Sequence, residues 1–230
     1  MKIAIIPARG GSKRIPRKNI KDFFGKPIIA YSIENALNSG LFDEVFVSTD
    51  DDEIAEIAIR FGAIVPVLRS EINSNDFANT SDVLLEVIEY YNSNNRQIDE
   101  LLCLYPTAPL ITEKEITASY KIWIENEFDA LLSSVAFDFA VQRGFKVLKN
   151  NSIELINPEA IQMRSQDLDL IYHDAGNFYW LKVKSFIKNK TFWAGNIGTF
   201  PLNRMKVQDI DNEEDWEIAK IKYAYLQNVK

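Results

Sequence analysis

The chain has 230 residues, 47% apolar and 26% charged, which suits one α/β domain with a sizeable core and argues against disorder. Its net charge of −7 argues against a nucleic-acid partner, for which a basic face is expected. One cysteine excludes a disulfide framework, no apolar run approaches the length of a bilayer, and the N-terminus has no signal-peptide pattern, so a soluble cytoplasmic protein without a membrane partner is expected.

Positive charge is concentrated at the front. Residues 1–26 hold eight Lys or Arg against one acid, Asp22; with +7 here and −7 overall, the remainder carries −14. The apolar run Ile3 to Ile6, bounded by Pro7 and then Gly10-Gly11, predicts a buried strand feeding a tight loop. Glycines let backbone amides approach a ligand closely, and successive amides in such a turn form an anion-binding nest. Arg9, Lys13, Arg17 and Lys18 are then placed to neutralise a triphosphate. The loop is not a Walker A motif, because Gly25-Lys26 is followed by Pro27, and the G-x-G-x-x-G spacing of a dinucleotide fingerprint is missing. On charge alone, a solvated basic loop accounts for the same residues.

Pro27 to Leu37 has helical periodicity and stops near Gly40. Val45 to Ser48 predicts a short strand, Asp50 or Asp51 the cap of a helix through Phe61, and Ala63 to Val67 a third strand after Gly62. This alternation indicates βαβ units and a mostly parallel sheet, with ligands beyond the carboxyl ends of the strands, where Arg9 to Asn19 emerge. Asp50-Asp51-Asp52 suggests a metal, but acids opening a helix satisfy its free N–H groups and dipole, and that reading is preferred. Arg69 to Asp82 is a polar, turn-rich loop before the helix Val83 to Tyr91. Leu101 to Tyr105 predicts a central strand with Cys103 buried in it, followed by Pro106-Thr107-Ala108-Pro109. Thr112 caps a helix to about Asn126, with Glu115 at capping-box spacing, and Asp129 to Val135 is another strand.

Residues 136 to 170 change character. Two strands around the polar turn Asn150-Asn151 predict a hairpin, an excursion of the kind that serves as a lid or an oligomer contact. The segment Tyr172 to Trp180 holds the only histidine, His173, in a polar His-Asp-Ala-Gly turn feeding an aromatic strand, Phe178 to Leu181; no Ser or Cys nucleophile motif accompanies it. Residues 209–217 hold six acids and no base. Asp209 and Asp211 stand two apart, so an extended backbone points both to one side with Ile210 opposite, a geometry suited to a hard divalent cation such as Mg²⁺. Capping of the last helix by Asp211 is the alternative, while Glu213, Glu214 and Asp215 open that helix, Trp216 to Leu226.

The string Ile-Pro-Ala-Arg-Gly-Gly-Ser-Lys-x-Ile-Pro-x-Lys-Asn at residues 6–19 resembles the signature of the CMP-sialic acid synthetase family of cytidylyltransferases. Arg14, Arg17 and the segment 172–180 look most like its pseudaminic acid branch. The resemblance spans nearly the whole chain. It implies an α/β, Rossmann-like three-layer nucleotidyltransferase fold with a mostly parallel mixed sheet, one domain over residues 1–230. It also implies that the β-hairpin and helix insertion at about 136–170 makes a homodimer and reaches the partner's active site. In the loop it maps CTP binding onto Ala8, Arg9, Gly10, Gly11, Ser12, Lys13, Lys18 and Asn19, and it sets Arg69 and either Thr80 or Ser81 against the cytosine. For the acidic sugar it points to Tyr105, Gln142, Arg143, Arg164, His173, Asp174 and Asn177. Tyr105 stands where the family commonly has Gln, and Asn177 where the branch tends to have Gln. The implied reaction is attack by the anomeric hydroxyl of a nine-carbon 2-keto acid sugar on the α-phosphorus of CTP. Arg9, Lys13, Lys18 and the glycine amides stabilise the departing pyrophosphate, and Asp209 and Asp211 hold Mg²⁺. The same reaction on sialic, legionaminic or Kdo-type sugars, and a non-catalytic nucleotide- or polyanion-binding module, are the alternatives.

Overall fold

The strand β1 (Lys2–Pro7) buries Ile3, Ala4, Ile5 and Ile6 completely, as a strand with helices over both sheet faces must. The structure, a computed structural model, describes residues 1–75 and 78–228. Within them the order continues with β2 (Asp22–Phe23), β3 (Lys26–Pro27), α1 (Ile28–Asn38), β4 (Glu44–Ser48), α2 (Asp52–Arg60), α3 (Thr80–Ser93), β5 (Glu100–Leu104) and α4 (Glu113–Glu125). There follow β6 (Ala130–Ala136), β7 (Phe145–Val147), β8 (Ile153–Leu155), β9 (Tyr172–Lys182), α5 (Val183–Asn189), β10 (Ile197–Pro201) and α6 (Glu213–Asn228). The main sheet has the order β10-β6-β9-β5-β1-β4, and β9 is antiparallel to both of its neighbours while the other pairings are parallel. Alternate residues of β1 serve opposite layers: Ala4 and Ile6 pack with α1, α2 and α4, whereas Ile3 and Ile5 pack with α3 and α5. A third cluster, of Phe23, Tyr31 and Trp216 with Tyr223, seats α6 against the segment that follows the basic loop. Among the described residues no helix is long and apolar enough to cross a membrane.

Local chemistry sets the element ends. Asp51 caps α2 by accepting from the Ile54 amide at 3.0 Å, and Thr112 and Glu115 close a capping box on α4. The last helix is capped by Asn212 and Asp215, not by Asp211: Asn212 Oδ1 accepts from the Asp215 amide and Asp215 Oδ2 from the Asn212 amide. Asp211 is therefore spared that duty.

Several expected elements differ. Ala63 to Val67 is not a strand; it makes one bridge, Ile64 to Phe46, because Pro66 has no N–H to continue a ladder. Pro27 closes the small ribbon with β2 instead of entering α1. The hairpin exists, but only as the short pair β7–β8, and residues 137–144 form a turn of 3₁₀ helix and irregular chain. The His-Asp-Ala-Gly segment is no turn either: it belongs to the eleven-residue β9, which is bulged. Leu132 pairs with Tyr179 but Ser134 pairs with Asp174, so β9 spends extra residues against β6. Gly176 at φ +63° makes the bend, and Ser133 Oγ accepts from the amides of Asn177 and Phe178 that the bulge detaches from the ladder.

Candidate active site

Beyond the carboxyl ends of β1, β4 and β5 lies a cavity of about 520 Å³, lined by Arg9, Ser12, Lys13, Arg14, Lys18 and Asn19 on one side and by Arg69, Thr80 and Tyr105 on the other. Parallel strands end together, which is why residues far apart in sequence meet here. Asn19 is buried and donates to the Arg9 carbonyl at 2.9 Å, so its amide ties the two ends of the loop together. Arg69 is buried against Ser48, donating to its hydroxyl at 3.0 Å and to its carbonyl. Burial lowers the Arg69 pKa, against the pull of Asp50 and Glu86. Thr80 lines the cavity and Ser81 does not.

Gly10 acts differently from the expected nest. The Gly10 amide donates to Asp50 Oδ1 at 2.8 Å, the Ala8 amide to the Ser48 carbonyl and the Ser12 amide to the Gly10 carbonyl. These groups fix the loop to its neighbours instead of pointing into open space. Glycine is required at position 10 because a Cβ would lie 2.7 Å from Asp51 Oδ2. Nor does Arg17 face the cavity: it pairs with Asp51 and Glu53, which raises its pKa, and it acts as the strut between loop and α2.

The far end of the chain meets this loop. Lys18 Nζ donates to the Ile210 carbonyl at 2.5 Å, and Arg14 pairs with Asp211 at 2.6 Å. Burial lowers the Lys18 pKa, and Asp211 and Asp209 oppose that. Burial, then the neighbouring Asp211, raises the Asp209 pKa, while Lys18 draws it down. Asp209 also borders a second, larger cavity of about 1330 Å³, between the sheet and residues 137–144. Among the described residues no group of three or more His, Cys, Asp or Glu is placed to hold a metal; Asp209 and Asp211 are a pair.

The larger cavity contains His173 and Asp174, aimed there by the bulge of β9, together with Arg143, Arg204 and Lys222. His173 Nδ1 lies 2.9 Å from the Asp174 carbonyl, and its ring packs on Phe137. Arg143 lines the wall, but its guanidinium holds the insertion together by donating to the Ala160 and Met163 carbonyls and the Ser165 hydroxyl. Four expected sugar contacts lie elsewhere: Tyr105 is on the wall of the smaller cavity, at the end of β5, and three are on neither wall. Gln142 donates to the Asp169 carbonyl, and Arg164 is exposed beside Asp167 at 3.9 Å. Asn177 is buried and closes the bulge by donating to the Ala175 carbonyl. None of the three lines either cavity. Conversely, sequence reasoning passed over Arg204 and Lys222. Arg204 pairs with Asp138 at 2.5 Å across the cavity, and Lys222 donates to the Val207 carbonyl and to Gln208, steadying the segment that carries Asp209. A lysine spaced along a polar helix gave no local signal.

A basic cavity at parallel strand ends, joined through Lys18 and Asp209 to a second cavity, is the arrangement of a nucleotidyltransferase. The chain belongs to the cytidylyltransferase family, whose sequence model matches residues 3–223, and it is a CTP-dependent nucleotidyltransferase. It is 45% identical over 221 residues to a pseudaminic acid cytidylyltransferase of Campylobacter jejuni, covering 96% of this chain and 95% of the relative. A CMP-N,N'-diacetyllegionaminic acid synthase of Legionella pneumophila is 32% identical over 95% of this chain and 94% of its own. The fold matches that of a CMP:2-keto-3-deoxy-manno-octonic acid synthetase solved with CTP, at TM-score 0.69 and 20% identity over 99% of both chains.

Proposed function

We propose that the protein transfers CMP from CTP to the anomeric hydroxyl of pseudaminic acid and releases pyrophosphate, in the cytoplasm. The carrying observation is that Asp209 borders the larger cavity while interacting with Lys18 of the smaller one. The nucleotide fits the smaller cavity, with phosphates against Arg9, Ser12, Lys13 and Lys18 and the base towards Thr80 and Arg69. The acidic sugar fits the larger, with Asp174 and His173 on its wall. The acceptor hydroxyl then approaches the α-phosphorus at the junction. Preformed cations there stabilise the charge that grows on the pyrophosphate without reorganising during the reaction. Partial burial strengthens this, because Lys18 acts in a poorer dielectric than water.

Mg²⁺ fits the donor set of Asp209 and Asp211: two mutually repelling carboxylates, one of them half-buried, suit an ion that takes one or two carboxylates and completes its shell with phosphate and water oxygens. When bound, it would add positive charge beside the phosphates and acidify the acceptor hydroxyl. We also place a homodimer contact on the insertion. The hairpin β7–β8 is exposed except at Leu155, which is half-buried, and an isolated two-stranded ribbon is marginal unless something covers it. Phe139, Val147 and Ile156 stand 87%, 66% and 63% exposed around it.

Pyrophosphate release measured with CTP, ATP, GTP and UTP against a panel of acidic nine-carbon sugars, with and without EDTA, tests the reading. Turnover is expected with CTP and pseudaminic acid and is lost with EDTA. Preference for another sugar would move the specificity to a different branch.

A further inference from the structure

The larger cavity is lined by as many acids as bases: Asp138, Asp174 and Asp209 against Arg143, Arg204 and Lys222. An anionic ligand entering such a wall must take a cation from one of those groups or stay unpaired. Most of them are tied down. Asp174 accepts from the Tyr179 hydroxyl at 2.6 Å and from the Gly176 amide at 2.9 Å, inside the bulge of β9. Asp209 flanks the Ile210 carbonyl that Lys18 holds. Arg143 donates to two carbonyls and the Ser165 hydroxyl within the insertion, and Lys222 to the Val207 carbonyl and Gln208 Oε1. Arg204 is held differently, by a side chain alone. Its Nη2 meets Asp138 Oδ1 at 2.5 Å, with Arg204 65% and Asp138 49% exposed. A pair so open to water is screened, and its members can change partners without disturbing the fold.

The covalent structure of the acceptor says where its carboxylate must be gripped. In a 2-keto acid sugar the carboxylate is bonded to the anomeric carbon, the atom that also carries the attacking hydroxyl. Whatever holds the carboxylate therefore positions the hydroxyl, and it belongs on the wall that carries Asp209. Arg204 meets that condition: it shares the stretch 204–209 with Asp209, and the Val207 amide closes the first turn on the Arg204 carbonyl at 3.3 Å. Arg143 and Arg164 belong to the insertion instead.

We propose that Asp138 stands in for the carboxylate of the sugar, and that the acceptor binds by taking Arg204 from it. The guanidinium fork offers the incoming carboxylate two parallel N–H···O bonds, which fix orientation as well as charge. Asp138 then turns to the solvent that already reaches it. A neutral sugar of the same shape cannot displace Asp138, so the pair admits acids and leaves uncharged relatives outside. Neither partner is among the sugar contacts implied by the family resemblance. The inference rests on the acidic sugar occupying the larger cavity.

The test is steady-state kinetics at saturating CTP on wild type, Arg204→Gln and Asp138→Asn, with the acidic nine-carbon sugar that the wild type turns over fastest. Both side chains are exposed, so both variants are expected to keep the wild-type circular dichroism spectrum. Arg204→Gln is expected to raise KM for the sugar about ten- to hundredfold, the loss of hydrogen bonds to a charged group. Asp138→Asn is expected to lower it about two- to fivefold, because a competitor for Arg204 is gone. A strap that merely joins the insertion to the sheet would fail in both variants alike. The methyl ester of the same sugar, measured as a competitive inhibitor, is expected to bind wild type and Arg204→Gln equally. An unmoved KM in either variant, a rise in both, or an ester that loses as much affinity as the acid overturns the proposal and leaves the reaction assigned above intact. A wild type that turns over no acidic sugar overturns the two together.

Discussion

The two cavities are built on opposite plans. The smaller is made by strand ends whose side chains are already pinned: Asn19 to the Arg9 carbonyl, Arg69 to Ser48, the Gly10 amide to Asp50. The larger is walled on one side by the bulged β9 and on the other by an insertion with a thin core of its own and wide apolar exposure. A phosphate cradle serves a ligand of fixed shape and gains from rigidity, because charge stabilisation depends on donors that need not move. The sugar proposed for the larger cavity must be told from relatives by acyl groups and ring configuration, a task better placed on a segment that can vary without disturbing the sheet.

If that contrast is right, the junction should be the most sensitive point. Asp209→Asn is expected to lower kcat by about 10³-fold with an unchanged circular dichroism spectrum, since one of the two carboxylates proposed to hold Mg²⁺ is lost and the fold does not depend on it. Normal turnover in that variant would separate the acidic pair from the chemistry. Lys18→Met is expected to cost about 10²-fold in kcat/KM for CTP by steady-state kinetics. Loosening the rigid side should be felt as stability: Gly10→Ala forces its methyl against Asp51, at a cost of about 1–3 kcal/mol in chemical denaturation, with a higher KM for CTP. On the insertion, Phe139→Ser is expected to shift sedimentation from the proposed dimer to monomer while leaving the intrinsic stability within about 0.5 kcal/mol, because Phe139 is 87% exposed.

The smallest effect is one of pH. Hydrogen bonding from Arg17, against the opposing effect of burial, holds Asp51 below the ordinary carboxylate range. A depressed folded-state pKa stabilises the protein above the unfolded value, about 3.9, and that contribution is lost as pH falls through the lower folded value. The difference in melting temperature between wild type and Asp51→Asn should therefore shrink as pH drops from 6 to 3. A constant difference would mean that the Arg17 strut contributes nothing through charge.

Much of the smaller cavity was legible because its signals are local. An apolar run ending in Pro-x-x-Gly-Gly, a cluster of eight cations and a capping box at Thr112 and Glu115 each act over a few residues. Asp209 and Asp211 were legible as a pair, and the structure brings them to the basic loop. Where the structure places residues differently from the sequence-based expectation, only packing decides. Arg17 and Lys18 are neighbours, yet one braces α2 and the other faces the cavity, because the left-handed backbone at Arg17, φ 56°, turns the chain between them. The β9 bulge moved Asn177 inward and Asp174 outward, and no period in the sequence announces a register shift. The pair α5 and β10 escaped notice for a related reason: Ile197 to Pro201 is a short edge strand with Gly198 in it, tolerated because Phe128 fills the space a side chain would take.

The hydrogen bond from Lys18 to the Ile210 carbonyl joins residues 192 apart. During synthesis the basic loop emerges early, but its lysine has nothing to hold it until nearly the last segment has left the ribosome. Closure over so long a contour is slow, so competence to bind substrate should arrive late in folding and all at once.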